Sequence, residues 1–132
     1  MRGGYVLTDD KAVFDRFAGA LAGLGEVLQV SGSQGTVVQL SDEHGRLFTV
    51  FDAVPKGVEW EVFQEPPTPS GRRLPSLKCD DLAAFPFESR WPELVARALS
   101  AIADVVDERV WLLDGDGVLW DAGSVDPVRL RL

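Results

Sequence analysis

The residue types on which enzymes draw for nucleophiles, proton shuttles and soft-metal ligation are scarce in this chain. Its 132 residues hold one cysteine, Cys79, and one histidine, His44. One cysteine excludes an internal disulfide, and one Cys with one His excludes the Cys/His sets that hold structural zinc. No G-x-G-x-x-G, P-loop, H-E-x-x-H or G-x-S-x-G pattern occurs, so no cofactor, metal or catalytic residue is expected. His44 reads as a turn histidine and Cys79 as a half-buried thiol. No apolar run approaches the roughly 20 residues that span a bilayer. The first apolar-rich stretch, F-A-G-A-L-A-G-L-G, follows Asp15 and Arg16 with helical spacing, which is not how a signal peptide begins. The expected location is the cytoplasm. Lysine is also sparse: Lys11, Lys56 and Lys78 are outnumbered by arginine, and with abundant Ala, Gly, Val and Asp this is the composition of a GC-rich bacterial gene.

Acid is plentiful instead. Twenty-one Asp and Glu against thirteen Lys and Arg give a formal charge of −8 and a pI near 4.5. That balance disfavours nonspecific attraction to nucleic acid or to an anionic membrane, and it suits a cationic partner. Asp104, Asp107, Glu108, Asp114, Asp116, Asp121 and Asp126 lie between positions 104 and 126 with one intervening cation, Arg109. The first six are the candidate partner-binding residues, since clustered carboxylates repel one another until a basic surface neutralises them.

The length suits one α+β domain covering residues 1–132. Thr8 to Gly25 predicts a first helix, capped by Thr8 or Asp9 and stopped by a left-handed Gly25. Phe14, Phe17, Leu21 and Leu24 form its stripe. E-V-L-Q-V, T-V-V-Q-L and R-L-F-T-V-F, joined by S-G-S-Q-G and S-D-E-H-G, predict an antiparallel meander. V-E-W-E-V-F alternates as a further strand. Gln64 to Cys79, with four prolines, two adjacent arginines (Arg72, Arg73) and Lys78, predicts a long exposed loop, most mobile from Gln64 to Pro75. L-A-A-F-P-F reads as an irregular crossing. S-R-W-P-E-L-V-A-R-A-L-S-A-I-A-D-V-V-D-E predicts a second helix, capped by Ser89, with Trp91, Leu94, Val95, Ala98, Leu99, Ile102 and Val106 buried. The tail ends in a short edge strand. The expected architecture is a two-layer domain: a mainly antiparallel sheet of five or six strands, two amphipathic helices on one face, and a C-terminal β-hairpin. Its expected core is Phe14, Phe17, Leu21, Val38, Leu40, Phe48, Val50, Trp60, Leu94, Leu99, Ile102 and Leu112.

One segment carries a chemical motif. V-W-L-L-D-G-D-G-V-L-W-D, from Val110 to Asp121, resembles the first motif of the haloacid-dehalogenase phosphatases, which implies Asp114 as nucleophile and Asp116 as acid and base at the end of a parallel strand. The family's later Ser or Thr, Lys and acidic pair should follow well downstream. Only sixteen residues follow Asp116, with Ser124 but no lysine and no crossover helix. A calcium loop through Asp114, Asp116 and Asp121 would need ligands at Val118 and Val125, which have none to offer. The letters read better as a hairpin. With Gly115 and Asp116 as its central pair, Trp111 falls opposite Trp120.

The functional expectation is a non-catalytic protein-binding module, a monomer or homodimer that docks a basic protein. Its leading form is a bacterial immunity protein that neutralises a toxin domain. A second form is a secretion-chaperone-like dimer, because the order helix, three strands, strand or loop, helix, two strands is similar in outline to the class I secretion chaperones. The third, a phosphoesterase dependent on the D-x-D pair, is the least favoured.

Overall fold

A computed structural model describes residues 3–8, 11–32, 35–52, 68–69, 83–106, 110–115 and 118–132. The chain runs β1 (Gly3–Thr8), a 3-10 helix η1 (Lys11–Arg16), α1 (Phe17–Leu21), β2 (Glu26–Gly32), β3 (Gly35–Ser41) and β4 (Leu47–Phe51). It continues with β5 (Thr68–Pro69), β6 (Ala83–Glu88), α2 (Pro92–Val105), β7 (Val110–Leu113), β8 (Val118–Asp121) and a 3-10 turn η2 (Ala122–Ser124). The protein is α+β. Its sheet has the order β2-β3-β4-β6-β1-β7-β8-β5, antiparallel throughout except for the two-residue β5, which pairs parallel with β8.

The meander forms where the β-branched runs and turn residues place it. Gln39 lies opposite Leu28 on one side and Thr49 on the other, and Gly45, at φ +72°, takes the left-handed position of the β3–β4 turn. Two strands that the sequence did not disclose, β1 and β6, complete the middle of the sheet. β1 pairs with β6 along its whole length and with β7 from Tyr5 to Thr8. Pro86 is tolerated inside β6 because the ladder to β4 ends at Phe87, so at Pro86 the strand has, among the described residues, a neighbour on one side only.

The first helix is shorter and tighter than its periodicity predicts. Thr8 cannot cap it, being held in β1 between two strands. The chain instead turns through η1, makes little more than one α-turn, and closes with Leu24 N–H donating to the Leu21 carbonyl at 3.0 Å. Gly25 does not take the left-handed conformation; it is required because a β-carbon there would strike the backbone carbonyl of Ser41. The second helix starts at Pro92, not at a Ser89 cap. Ser89 is buried, donates to the Leu47 carbonyl at 2.8 Å and accepts from Trp91 N–H at 3.3 Å, which fastens the approach to α2 onto β4. Trp91 stands outside the buried stripe, with the Arg46 guanidinium 5.9 Å from its ring centre. The tail forms turns in place of a last strand.

Apolar residues of the sheet and of the helices join in one buried cluster. Phe14, Phe17 and Phe85 pack edge-on or tilted at 5.3 to 5.4 Å, and Phe48 stacks on Phe87 at 5.3 Å. Val6, Val38, Leu40, Val50 and Leu112 join them from the sheet, and Leu94, Val95, Leu99 and Ile102 from α2. All the expected core residues among those described are buried; Trp60 lies outside them, as do the strand expected at V-E-W-E-V-F and nearly all of the Pro-rich loop. A second, smaller buried cluster holds Leu7, Trp111, Leu113 and Leu119, with Tyr5 and Ala84 against it.

Two glycine substitutions separate these roles. Gly25→Ala should cost about 1–3 kcal/mol, because the neighbour it meets is backbone and cannot swing aside. Gly19→Ala, exposed within α1 with nothing near its added carbon, should raise stability by about 0.5–1 kcal/mol. Urea titrations of both variants check the opposite signs.

Candidate functional site

The hairpin that carries the D-x-D motif is built around the first aspartate. Asp114 is buried; its Oδ1 accepts from Val118 N–H at 2.9 Å and its Oδ2 from the Trp120 indole N–H at 3.0 Å. Its own N–H donates to the Val118 carbonyl. These bonds place Asp114 opposite Val118, so the pairs become Leu113 with Leu119, Leu112 with Trp120 and Trp111 with Asp121. The two-residue turn centred on Gly115 and Asp116 is thereby corrected to a three-residue loop. That offset of one residue puts the two tryptophans on opposite faces, Trp120 with the main core and Trp111 in the smaller cluster. The Arg129 guanidinium lies 5.7 Å from the Trp120 ring centre. Gly115 donates to the Arg131 carbonyl at 2.8 Å, and its lack of a side chain admits the backbone of Leu132.

β7 runs antiparallel to both neighbours, β1 and β8. The phosphatase resemblance implies a parallel strand at this point, and Asp114 is here a hairpin residue whose carboxylate is bound to the backbone and indole of its own turn.

The remaining candidates are distributed as follows. Asp104 is exposed in the last turn of α2, and Asp121 is exposed at the end of β8, where its Oδ1 accepts from Gly123 N–H at 2.9 Å and caps η2. Asp126 caps its own turn through Val128 N–H. α2 packs against η2, so the helix and the end of the hairpin are neighbours. Asp107, Glu108 and Asp116 lie outside the described residues, as does Cys79. Among the described residues no three His, Cys, Asp or Glu side chains gather to hold a metal ion.

A second polar constellation, at the β3–β4 turn, was legible only as a turn. Asp42 is buried and accepts from His44 N–H at 2.9 Å, Arg46 N–H at 2.8 Å and Arg46 Nε at 2.7 Å. Burial pushes its pKa up, but the Arg46 side chain, the two backbone donors and the Arg46 charge outweigh that and hold it below the ordinary carboxylate range. Arg46 also reaches Glu93 at 3.8 Å and the face of Trp91. His44 is exposed, 3.5 Å from Glu43. The spacing Asp42-x-x-x-Arg46 with a glycine before the arginine was the available signal. This constellation joins the turn to the start of α2 and forms no reactive pair.

No protein-family model, no curated protein and no solved structure matches the chain.

Two outcomes test these roles. Asp114→Ala leaves the buried Trp120 N–H without an acceptor and should cost about 1–3 kcal/mol, with a change in Trp fluorescence; Asp114→Asn, which keeps an acceptor, should cost less. Because the pKa of Asp42 is depressed in the folded state, its stabilisation is fully present above about pH 4 and is lost as the pH falls through the lower folded value. Asp42→Asn should therefore be less stable than wild type at pH 7, with the gap narrowing towards pH 2 in thermal melts.

Proposed function

We propose that the protein is a small, acidic, non-catalytic binding module of the bacterial cytoplasm that docks a basic protein, in the manner of an immunity protein holding a toxin domain. The scaffold in this reading is a single domain of two layers, with η1, α1 and α2 over the sheet face that carries Val6, Phe85 and Phe87. No helix among the described residues is long and apolar enough to cross a membrane.

The observation that carries the reading is the position of Asp104. It sits in the last turn of α2, where the helix dipole is negative and a carboxylate costs about 0.3–1 kcal/mol, and no basic residue lies in that turn to offset it. It is exposed, and beside it Val105 is 50% exposed. A carboxylate at the end of a helix where it lowers stability, next to an uncovered apolar side chain, suits a residue kept for an external cation. Asp121 is exposed on the hairpin next to the turn η2, against which α2 packs, and Asp107 and Glu108 continue the acidic run in the sequence. Asp114 and Asp42, by contrast, are consumed by their own turns, so the docking role falls to Asp104 and Asp121 with their sequence neighbours.

Asp104→Lys should gain stability, by about 0.3–1 kcal/mol in urea titrations, while losing partner. The partner is sought by capture from an extract of the source cells on immobilised protein. A basic protein retained at low salt should elute steeply as the screening length falls from about 8 Å at 0.15 M to about 3 Å at 1 M. Retention should also fall when Asp104 and Asp121 are both replaced by lysine. Capture indifferent to salt and to the double replacement would sink the reading.

A further inference from the structure

The two edges of the sheet are treated differently. β5 is two residues long and contains Pro69, the kind of short, proline-bearing edge that refuses further strands. β2 is seven residues long, with the sequence E-V-L-Q-V-S-G, and has no proline, lysine or arginine. It has β3 on one side and, among the described residues, no strand on the other. Its Leu28 and Val30 are 59% and 53% exposed. They lie on the sheet face away from the helices, opposite Gln39 and Val37, and Phe51 follows on the far side of Val37.

We propose that β2 pairs antiparallel with β2 of a second copy, making one continuous sheet through a two-fold axis at Gln29. The register follows from the ladder. Thr36 accepts from Asp52 N–H at 2.9 Å, so its carbonyl faces β4 and its partner Ser31 directs its backbone away from β3. By alternation Val27, Gln29 and Ser31 present N–H and C=O to the open edge. Centred on Gln29, the strand is its own complement: Gln29 exchanges both bonds with Gln29 of the other copy, and Val27 exchanges them with Ser31. Leu28 then falls opposite Val30, so the two exposed apolar pairs meet at the axis, as an isologous contact requires. Glu26 falls opposite Gly32.

Charge favours this place for a contact between copies. Each copy carries −8, so association needs a surface where like charges stay apart. Glu26 is the only ionisable residue in β2, and the two Glu26 side chains end up about 20 Å from each other, beyond the screening length of about 8 Å. The salt response is opposite in sign to that of the acidic docking end. Salt screens the repulsion between copies and leaves apolar and backbone contacts in place, so the dimer should persist or tighten where the basic partner is released.

Sedimentation equilibrium and cysteine cross-linking test the proposal. Wild type should approach twice 14.4 kDa at tens of micromolar, and more so at 1 M salt. Gln29→Pro removes an outward N–H and no bond to β3, so it should give a folded monomer by circular dichroism. In a Cys79→Ser chain, Gln29→Cys should cross-link under mild oxidation, because a hydrogen-bonded antiparallel pair sets the Cα atoms about 5.5 Å apart. Leu28→Cys should not, since its two copies lie about 8 Å apart. A wild-type monomer at millimolar concentration overturns the proposal, as does cross-linking of Leu28→Cys at the rate of Gln29→Cys. If Gln29→Pro fails to fold, the cysteine pair decides the matter.

Discussion

The sheet is one sheet because β1 is paired with β6 along its whole length and with β7 from Tyr5 to Thr8. Without β1, the order leaves β2-β3-β4-β6 on one side and β7-β8-β5 on the other, with nothing joining them. Gly3 and Gly4 are part of that constraint: a side chain on either would strike a backbone carbonyl, of Phe87 and of Leu113 respectively. The strand carries Val6 to the helix-facing core and Leu7 to the opposite cluster, so both apolar groups of the sheet are anchored on two consecutive residues.

From this constraint the two ends of the sheet take different characters. Towards the carboxyl terminus, β7 and β8 carry buried residues on both faces, and Asp114 between them serves the turn. Asp114 satisfies an indole and a backbone donor that would otherwise be stranded in the core. Towards β2 the apolar cover thins, and Leu28 and Val30 remain in solvent. The first aspartate of a motif that in letters resembles a catalytic one is thus bound into local geometry, while an ordinary-looking apolar strand, β2, has a strand on one side only among the described residues.

Charge follows a similar division. Carboxylates that sit at turn positions, Asp42, Asp114, Asp121 and Asp126, accept backbone N–H groups, as short acidic side chains do when the chain reverses. Asp104 is placed against its helix dipole. An acidic excess counted from composition mixes these two kinds, and only the hydrogen-bond partners separate them.

The amino-acid sequence by itself determined the local elements with strong periodicity and good punctuation: the β2–β3–β4 meander, the buried stripe of α2, the apolar residues of the core, and the existence of a C-terminal hairpin. Each depends on side-chain spacing and turn residues within one short window. What only the tertiary structure decided depends on partners far along the chain. β1 begins with two glycines and β6 contains a proline, so neither reads as a strand until β6, β7 and β4 supply their ladders. Trp91 left the expected stripe because Arg46 and Ser89 fix the approach to α2 from β3 and β4. The hairpin register was decided by Asp114 reaching across to Trp120, a side-chain bond that no count of turn residues contains.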